Sequence, residues 1–245
     1  MQRRSIDAFD LRERVSRYDA DMDIMHANRA KMVEIALDVL PFEREAPIQA
    51  LDLGVGTGYF TARLLKAYPN ARVDALDGAE AMLEMARARL GKRGDSVSLQ
   101  VGDFRDLSRL FPGGERFDVV LSSYALHHLS REEKISVVRQ AAALLRPGGW
   151  CVNADIFAAE TPELERTVQD IRVRGIVERG KDDERFKDYG TTRRYLDEME
   201  AEEGDRPLTL AEDLEVFRQG GLRDVAVFWL EYREAVIGGR RVSRR

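Results

Sequence analysis

Leu51-Asp52-Leu53-Gly54-Val55-Gly56-Thr57-Gly58-Tyr59-Phe60 is an apolar run that breaks into three alternate glycines and resumes at helical spacing. Few folded arrangements accommodate it: a buried strand, a backbone turn of positive φ, and the start of a helix. A turn without Cβ atoms lets a ligand approach the main chain, and a helix start offers free amide donors. The stretch therefore points to a nucleoside cofactor held at the end of a strand.

The rest of the chain repeats the unit. Residues 50–53, 73–76, 97–101, 117–121 and 151–156 read as strands, with helical patterns over 57–67, 79–90 and 131–145 between them. That alternation is the mark of a parallel sheet. Ser130 and Glu133 form a capping-box pattern before the third of these helices, and Arg146-Pro147-Gly148-Gly149 closes it. One helix is expected before the first strand, from Met22 to Leu40, stopped by Pro41. After Ile156 the alternation fails: Thr161-Pro162 opens a helix reaching at least Val177, a charged stretch runs from Glu178 to Tyr189, and helices are expected over 192–202 and 208–219. Residues 225–230 and 235–237 read as two closing strands. The expected organisation is one domain over 1–245. A helical cap covers 1–45, a cofactor-binding core 46–156, a helical lid insertion 157–208, and a last helix with terminal strands 209–245.

Composition narrows the partners. A net charge of −5 offers no general attraction to nucleic-acid phosphates. The single cysteine, Cys151, cannot form an internal disulfide, and no apolar run reaches the roughly 18 residues of a membrane span. Met1-Gln2-Arg3-Arg4-Ser5 is followed at once by charge rather than an apolar core, so no export is expected and the cytoplasm is the expected compartment. Arg240, Arg241, Arg244 and Arg245 read as a solvated basic tail.

The glycine spacing selects among cofactors. A dinucleotide fingerprint wants G-x-G-x-x-G, and its third glycine position is here Tyr59. Asp52 stands two places before the first glycine, where a carboxylate repels a pyrophosphate and favours an ammonium or sulfonium group. Asp77, ending the second strand, is placed for ribose hydroxyls, with Gly78 allowing close approach; it also suits a helix N-cap. Asp103-Phe104 ends the third strand, where a carboxylate meets an adenine amino group and an aromatic edge flanks the base; a plain turn residue is the other reading of Asp103.

Together these segments resemble the class I S-adenosylmethionine-dependent methyltransferases of small-molecule type, over roughly residues 45–156 with weaker agreement to 237. The resemblance implies a Rossmann-like doubly wound α/β sheet of seven strands, order 3-2-1-4-5-7-6 with strand 7 antiparallel, an N-terminal helix and a helical insertion between strands 5 and 6. By the same resemblance Asp52, Gly54, Gly56, Thr57 and Gly58 hold the methionine part, and Asp77 with Gly78 the ribose. Asp103 and Phe104 hold the adenine, Met82 packs beside it, Ser122 ends the fourth strand at the cofactor, and Tyr18 closes over it as a tyrosine does in some relatives, a plain surface tyrosine being the other reading. The product of such a reaction is S-adenosylhomocysteine.

Methyl transfer from a sulfonium is an in-line displacement. Positioning contributes about 7–11 kcal/mol and a general base about 10²- to 10⁴-fold. The candidates past the fourth strand are Tyr124, His127 and His128. Neutral histidine can take a proton from a phenol, hydroxyl or ammonium acceptor. Related small-molecule enzymes can place a base histidine at the position of His128, which ranks it first and His127 second; packing or capping of the loop is the competing reading. No metal is expected, because adjacent side chains diverge and the only other histidine is His26. No Asp/Asn-Pro-Pro-aromatic tetrapeptide follows the fourth strand and there is no Pro-Cys nucleophile, so the expected acceptor is an O, N or C atom of a small molecule. Asp155 is placed to meet a cationic acceptor or hold the lid, and Arg29 to pair with the cofactor carboxylate or face solvent. Two alternatives stay open: a cofactor-binding protein without transfer, or another reaction on the same cofactor that draws on Arg172, Arg174 and Arg194 for an anion. A monomer or homodimer is expected.

Overall fold

The computed structural model describes residues 4–242; Met1–Arg3 of the basic N-terminus and Arg244 and Arg245 of the tail lie outside the described residues. Seven strands form one sheet: β1 (Gln49–Leu53), β2 (Arg72–Asp77), β3 (Val97–Val101), β4 (Phe117–Ser123), β5 (Leu145–Ile156), β6 (Arg223–Glu231) and β7 (Glu234–Arg240). Their order is β3-β2-β1-β4-β5-β7-β6, with β1 to β5 parallel and β7 antiparallel to both its neighbours, as the resemblance implies. The crossovers reverse direction between β1 and β4. An open α/β sheet binds ligands at such a switch point, outside the carboxyl ends of its strands.

Both sheet faces are buried, which is why the central strands read as apolar runs. On one face α3 (Arg29–Asp38), α4 (Tyr59–Ala67) and α5 (Glu80–Leu90) contribute Met32, Leu64 and Leu83 to a core with Ala50 and Leu121. The other face is covered by α6 (Leu107–Leu110), α7 (Arg131–Leu144) and α10 (Leu210–Gln219), with Val138 and Phe217 packed on Leu51, Leu53 and Val120. Lys134 of α7 and Asp213 of α10 pair at 2.7 Å with almost no exposure. The chain between β5 and α10 forms α8 (Pro162–Arg179) and α9 (Tyr189–Glu203). Val173, Ile176, Phe186 and Leu196 from this segment enclose Met25, at the end of α2 (Arg12–Met25).

Helix starts follow the sequence closely. Ser130 and Glu133 form the expected capping box, and Thr161 caps α8 with Pro162 in its first turn. Thr209 and Glu212 make a second box that the sequence reading passed over.

Two expectations are corrected. The single helix expected over 22–40 is two, α2 and α3, preceded by α1 (Arg4–Phe9). The break at His26-Ala27-Asn28 is held from outside. His26 Nδ1 lies 2.9 Å from Glu234 Oε1 and Asn28 Nδ2 donates to Glu234 Oε2 at 3.0 Å, so the β6–β7 hairpin offers these residues better partners than helix continuation does. The segment Arg146-Pro147-Gly148-Gly149 ends α7 but belongs to β5, which starts at Leu145 beside a register shift between Phe117 and Val119. Proline is tolerated in a strand at such an irregularity.

Candidate functional site

The carboxyl ends of β1, β2, β3 and β4 open onto the largest described cavity, about 220 Å³. Its floor is main chain. Gly54, Gly56 and Gly58 have φ of 73°, 52° and 78°, a run of left-handed residues that only glycine adopts cheaply. Gly54 and Gly56 line the cavity, whereas Gly58 caps α4 and lets it approach α5, where an added Cβ would sit 3.3 Å from Ala86. At Gly54 a Cβ would meet that of Ala125 at 2.6 Å. Gly54→Ala is therefore expected to lower the unfolding free energy by about 1–3 kcal/mol in urea titrations, from strain and overlap together.

Asp77 ends β2 inside this cavity, its Oδ2 accepting from Gly56 N at 2.8 Å and its Oδ1 from Ala79 N at 2.9 Å. Burial raises its pKa, and the amide hydrogen bonds from Ala79, Gly56 and Gly78 oppose that rise. A carboxylate has about four lone-pair sites, more than these amides use, so capacity is left for a ligand donor. Gly78, Met82, Asp103 and Phe104 continue the wall. Asp103 is engaged by Arg105, whose amide donates to Oδ1 at 2.9 Å and whose guanidinium also reaches Glu133.

Besides Gly58, three residues of the expected cofactor set lie behind this wall. Asp52 is buried on the α4 side with Thr61 Oγ1 at 2.6 Å. Thr57 donates to Asp19 Oδ1 at 3.0 Å, and Ser122 donates to the Leu53 carbonyl at 3.1 Å while its neighbour Ser123 faces the cavity. In a strand successive side chains alternate faces, so a position exposed to the ligand is flanked by core positions.

Burial, opposed by the Thr61 hydrogen bond, pushes Asp52 up to about 7. Its folded pKa thus exceeds the unfolded value, so its contribution to stability is greatest in acid and is lost as pH rises from about 4 through 7. Asp52→Asn abolishes that loss. The stability of the variant relative to wild type is expected to grow by about 2–3 kcal/mol between pH 5 and pH 8 in urea unfolding.

α2 roofs the cavity. Tyr18 lines it, packs edge-on against Phe9 with centroids 5.9 Å apart, and is pushed up to about 12 by burial. The adjacent Asp19 binds Thr57 of the glycine loop, Arg89 of α5 and Arg29 of α3, locking the roof to the floor. Arg29 is buried rather than facing solvent, pairing with Asp19 at 2.8 Å and stacking 3.7 Å from the Tyr59 ring centroid.

A second, smaller cavity of about 60 Å³ adjoins the first, and both are lined by Phe9, Tyr18, Tyr124, His128 and Glu203. Tyr124 leaves β4 with φ of 48°, and its hydroxyl donates to Glu234 Oε1 at 2.7 Å. Burial and then Glu234 raise its pKa well above the ordinary value, so it stays a phenol. Residues 126–128 form a single 3-10 turn, and the two histidines do not diverge: their ring centroids lie 4.1 Å apart and both reach Asp205, just past α9. His127 Nδ1 also lies 2.6 Å from Asp155 Oδ1. Burial alone would lower the pKa of His127; Asp155 and Asp205 override it and raise it to about 10. Burial and then the charge of His127 lower that of His128, which is neutral at pH 7.

Comparison with known proteins agrees with this geometry. The methyltransferase domain family matches residues 50–149. An uncharacterized methyltransferase of Geobacillus sp. is 32% identical over 155 residues, covering 63% of this chain and 68% of that protein. The chain belongs to the class I methyltransferase family. A further uncharacterized methyltransferase, from Anoxybacillus flavithermus, is 34% identical over 150 residues, 61% of this chain and 65% of that one, so the match spans just under two thirds of that relative. Among solved structures, an O-methyltransferase family protein from Burkholderia thailandensis superposes with a TM-score of 0.67 at 20% identity, over 94% of this chain and 60% of that one. Human N-acetylserotonin methyltransferase in complex with SAM gives 0.61 at 15% identity, over 94% and 56%. At these identities the structural likeness speaks for the fold alone.

Several wall residues of this methyltransferase fold escaped the sequence reading. Ile6 and Phe9 come from α1, whose short charged sequence carries no periodic signal. Glu203, Asp205 and Arg206 come from the end of α9 and the residues just past it, where Gly204 and Pro207 mark a turn but nothing in their spacing relates them to His127 in a distant part of the chain. Of the arginines considered for an anion, Arg172 is buried against Glu200, Arg174 is exposed beside Asp170, and Arg194 is exposed.

Proposed function

We propose that this protein transfers a methyl group from S-adenosylmethionine, held in the larger cavity, to a small-molecule acceptor in the smaller one. The observation that carries this is Asp77: a part-buried carboxylate on the cavity wall, fixed by backbone amides and with lone-pair capacity to spare, suits the hydroxyls of a ribose. Phe104 and Met82 offer an aromatic edge and a thioether to the adenine, while the open space at Gly56, where a Cβ would meet nothing within 4 Å, admits the methionine part. S-adenosylmethionine supplies an electrophilic methyl group on a cationic sulfur, which an acceptor lone pair displaces in line.

The chain's own work is positioning. Tyr18 and Phe9 cover both cavities and exclude water, Tyr124 forms the wall between them, and Met22, Met25 and Met199 give the acceptor side an apolar surface. His128, whose imidazole lines both cavities, is the proposed catalytic residue on the acceptor side, and His127 positions it. The small second cavity supports an acceptor of metabolite size. Among the described residues no helix is long and apolar enough to cross a membrane, and the single cysteine supports work in the cytoplasm. Calorimetry tests the cofactor half: S-adenosylhomocysteine is expected to bind at micromolar concentration, and no binding below millimolar overturns it. Cofactor turnover in a metabolite mixture tests transfer; its absence despite binding favours a cofactor-binding protein instead.

A further inference from the structure

Three donor atoms from distant parts of the chain meet beside the junction of the two cavities. His128 Nδ1 lies 2.9 Å and His127 Nε2 3.5 Å from one carboxylate oxygen, Asp205 Oδ1, and the three residues offer one donor atom each within 4.8 Å of one another. The side chains are 6% (His127), 9% (His128) and 8% (Asp205) exposed, yet His128 Nδ1 and Asp205 Oδ1 have no aligned hydrogen bond. Donors about 2.0–2.1 Å from a tetrahedral ion are separated by about 3.3 Å, between the two spacings found here. We propose that His127, His128 and Asp205 bind a divalent first-row transition cation of the zinc type, with its remaining position open towards the acceptor.

The surroundings are those of a ligand set. Asp155 engages the Nδ1 side of His127 at 2.6 Å, which orients the ring with its Nε2 towards Asp205. Asp155 is itself held by the amides of His127 and Ile156. Two imidazoles and one carboxylate favour borderline cations over magnesium or calcium, which prefer oxygen alone. With both imidazoles neutral, Asp155 and Asp205 leave two poorly solvated negative charges beside the site, which a dication offsets. Imidazole ligands bind a metal as neutral groups, so uptake releases any proton that His127 carries.

The role of the site rests on the reading that the smaller cavity takes the acceptor. His127, His128 and Asp205 all line that cavity, so an acceptor oxygen can complete the coordination. The class implied is therefore a small molecule that presents a hydroxyl or carboxylate.

The test uses the untagged full chain, stripped by chelation and titrated with Co²⁺. Only three histidines are present, and the third, His26, is occupied by Glu234. Visible d–d absorption is expected to saturate at one equivalent and to disappear on adding Zn²⁺. Asp205→Ala and His128→Ala are each expected to weaken Co²⁺ binding at least tenfold, and Asp155→Asn about 10- to 100-fold, at unchanged circular dichroism. No band on the wild-type protein up to millimolar Co²⁺, or a band that survives Asp205→Ala combined with His128→Ala, overturns the proposal. Calorimetry with S-adenosylhomocysteine on the same metal-free sample separates the two claims. Nucleoside binding without a cobalt band overturns the metal site alone; a cobalt band without nucleoside binding supports it and overturns the cofactor reading.

Discussion

Asp77→Ala is expected to weaken S-adenosylhomocysteine binding by about 10²- to 10⁴-fold. Both oxygens accept from amides and keep lone-pair capacity for the ribose hydroxyls, and a hydrogen bond to a charged group is worth about 1.5–3 kcal/mol. The substitution also releases the Gly56 amide, which loosens the loop that bounds the cavity. Asp77→Asn is expected to lose nearly as much, because the NH₂ of asparagine then faces an amide donor, Gly56 or Ala79. Calorimetry gives both numbers. Affinities within threefold of wild type would contradict a ribose at this carboxylate.

The second large effect is on stability. Lys134→Met is expected to lower the unfolding free energy by about 3–5 kcal/mol, because it leaves Asp213 buried without its counter-charge. Burial already raises the pKa of Asp213 against the pull of Lys134, so the variant is expected to recover part of its stability in acid, where the carboxyl is protonated. Lys134→Met combined with Asp213→Leu is expected to regain most of the loss, since two apolar groups of similar volume can replace a buried ion pair. Urea titrations at pH 7 measure all three chains; a single variant within about 1 kcal/mol of wild type would show that solvent reaches the pair.

How much of this was legible in the sequence follows from the range of the forces involved. Capping at Ser130 and Thr161, the glycine turn and the parallel strands depend on residues within one or two turns of each other, and they stand where local pattern places them. Asp77 and Phe104 were accessible too, because a strand end delivers its next residue to the ligand edge whatever the partners are. Asp52 and Ser122 share their strands with ligand-facing positions, and only the register of β1 against β4 shows that they turn into the core. The break at His26 depends on Glu234, 208 residues away. The meeting of His127 and His128 with Asp205 likewise depends on where the helices after β5 return to the sheet, and no spacing rule connects those segments.

The central claim is that the larger cavity holds the nucleoside and the smaller one the acceptor. A crystal structure with S-adenosylhomocysteine tests it most directly. The account predicts both ribose hydroxyls within hydrogen-bond distance of the Asp77 carboxylate, the adenine beside Phe104, and the sulfur facing the junction of Tyr124 and His128. A ribose away from Asp77, or a sulfur directed away from His128, would contradict it.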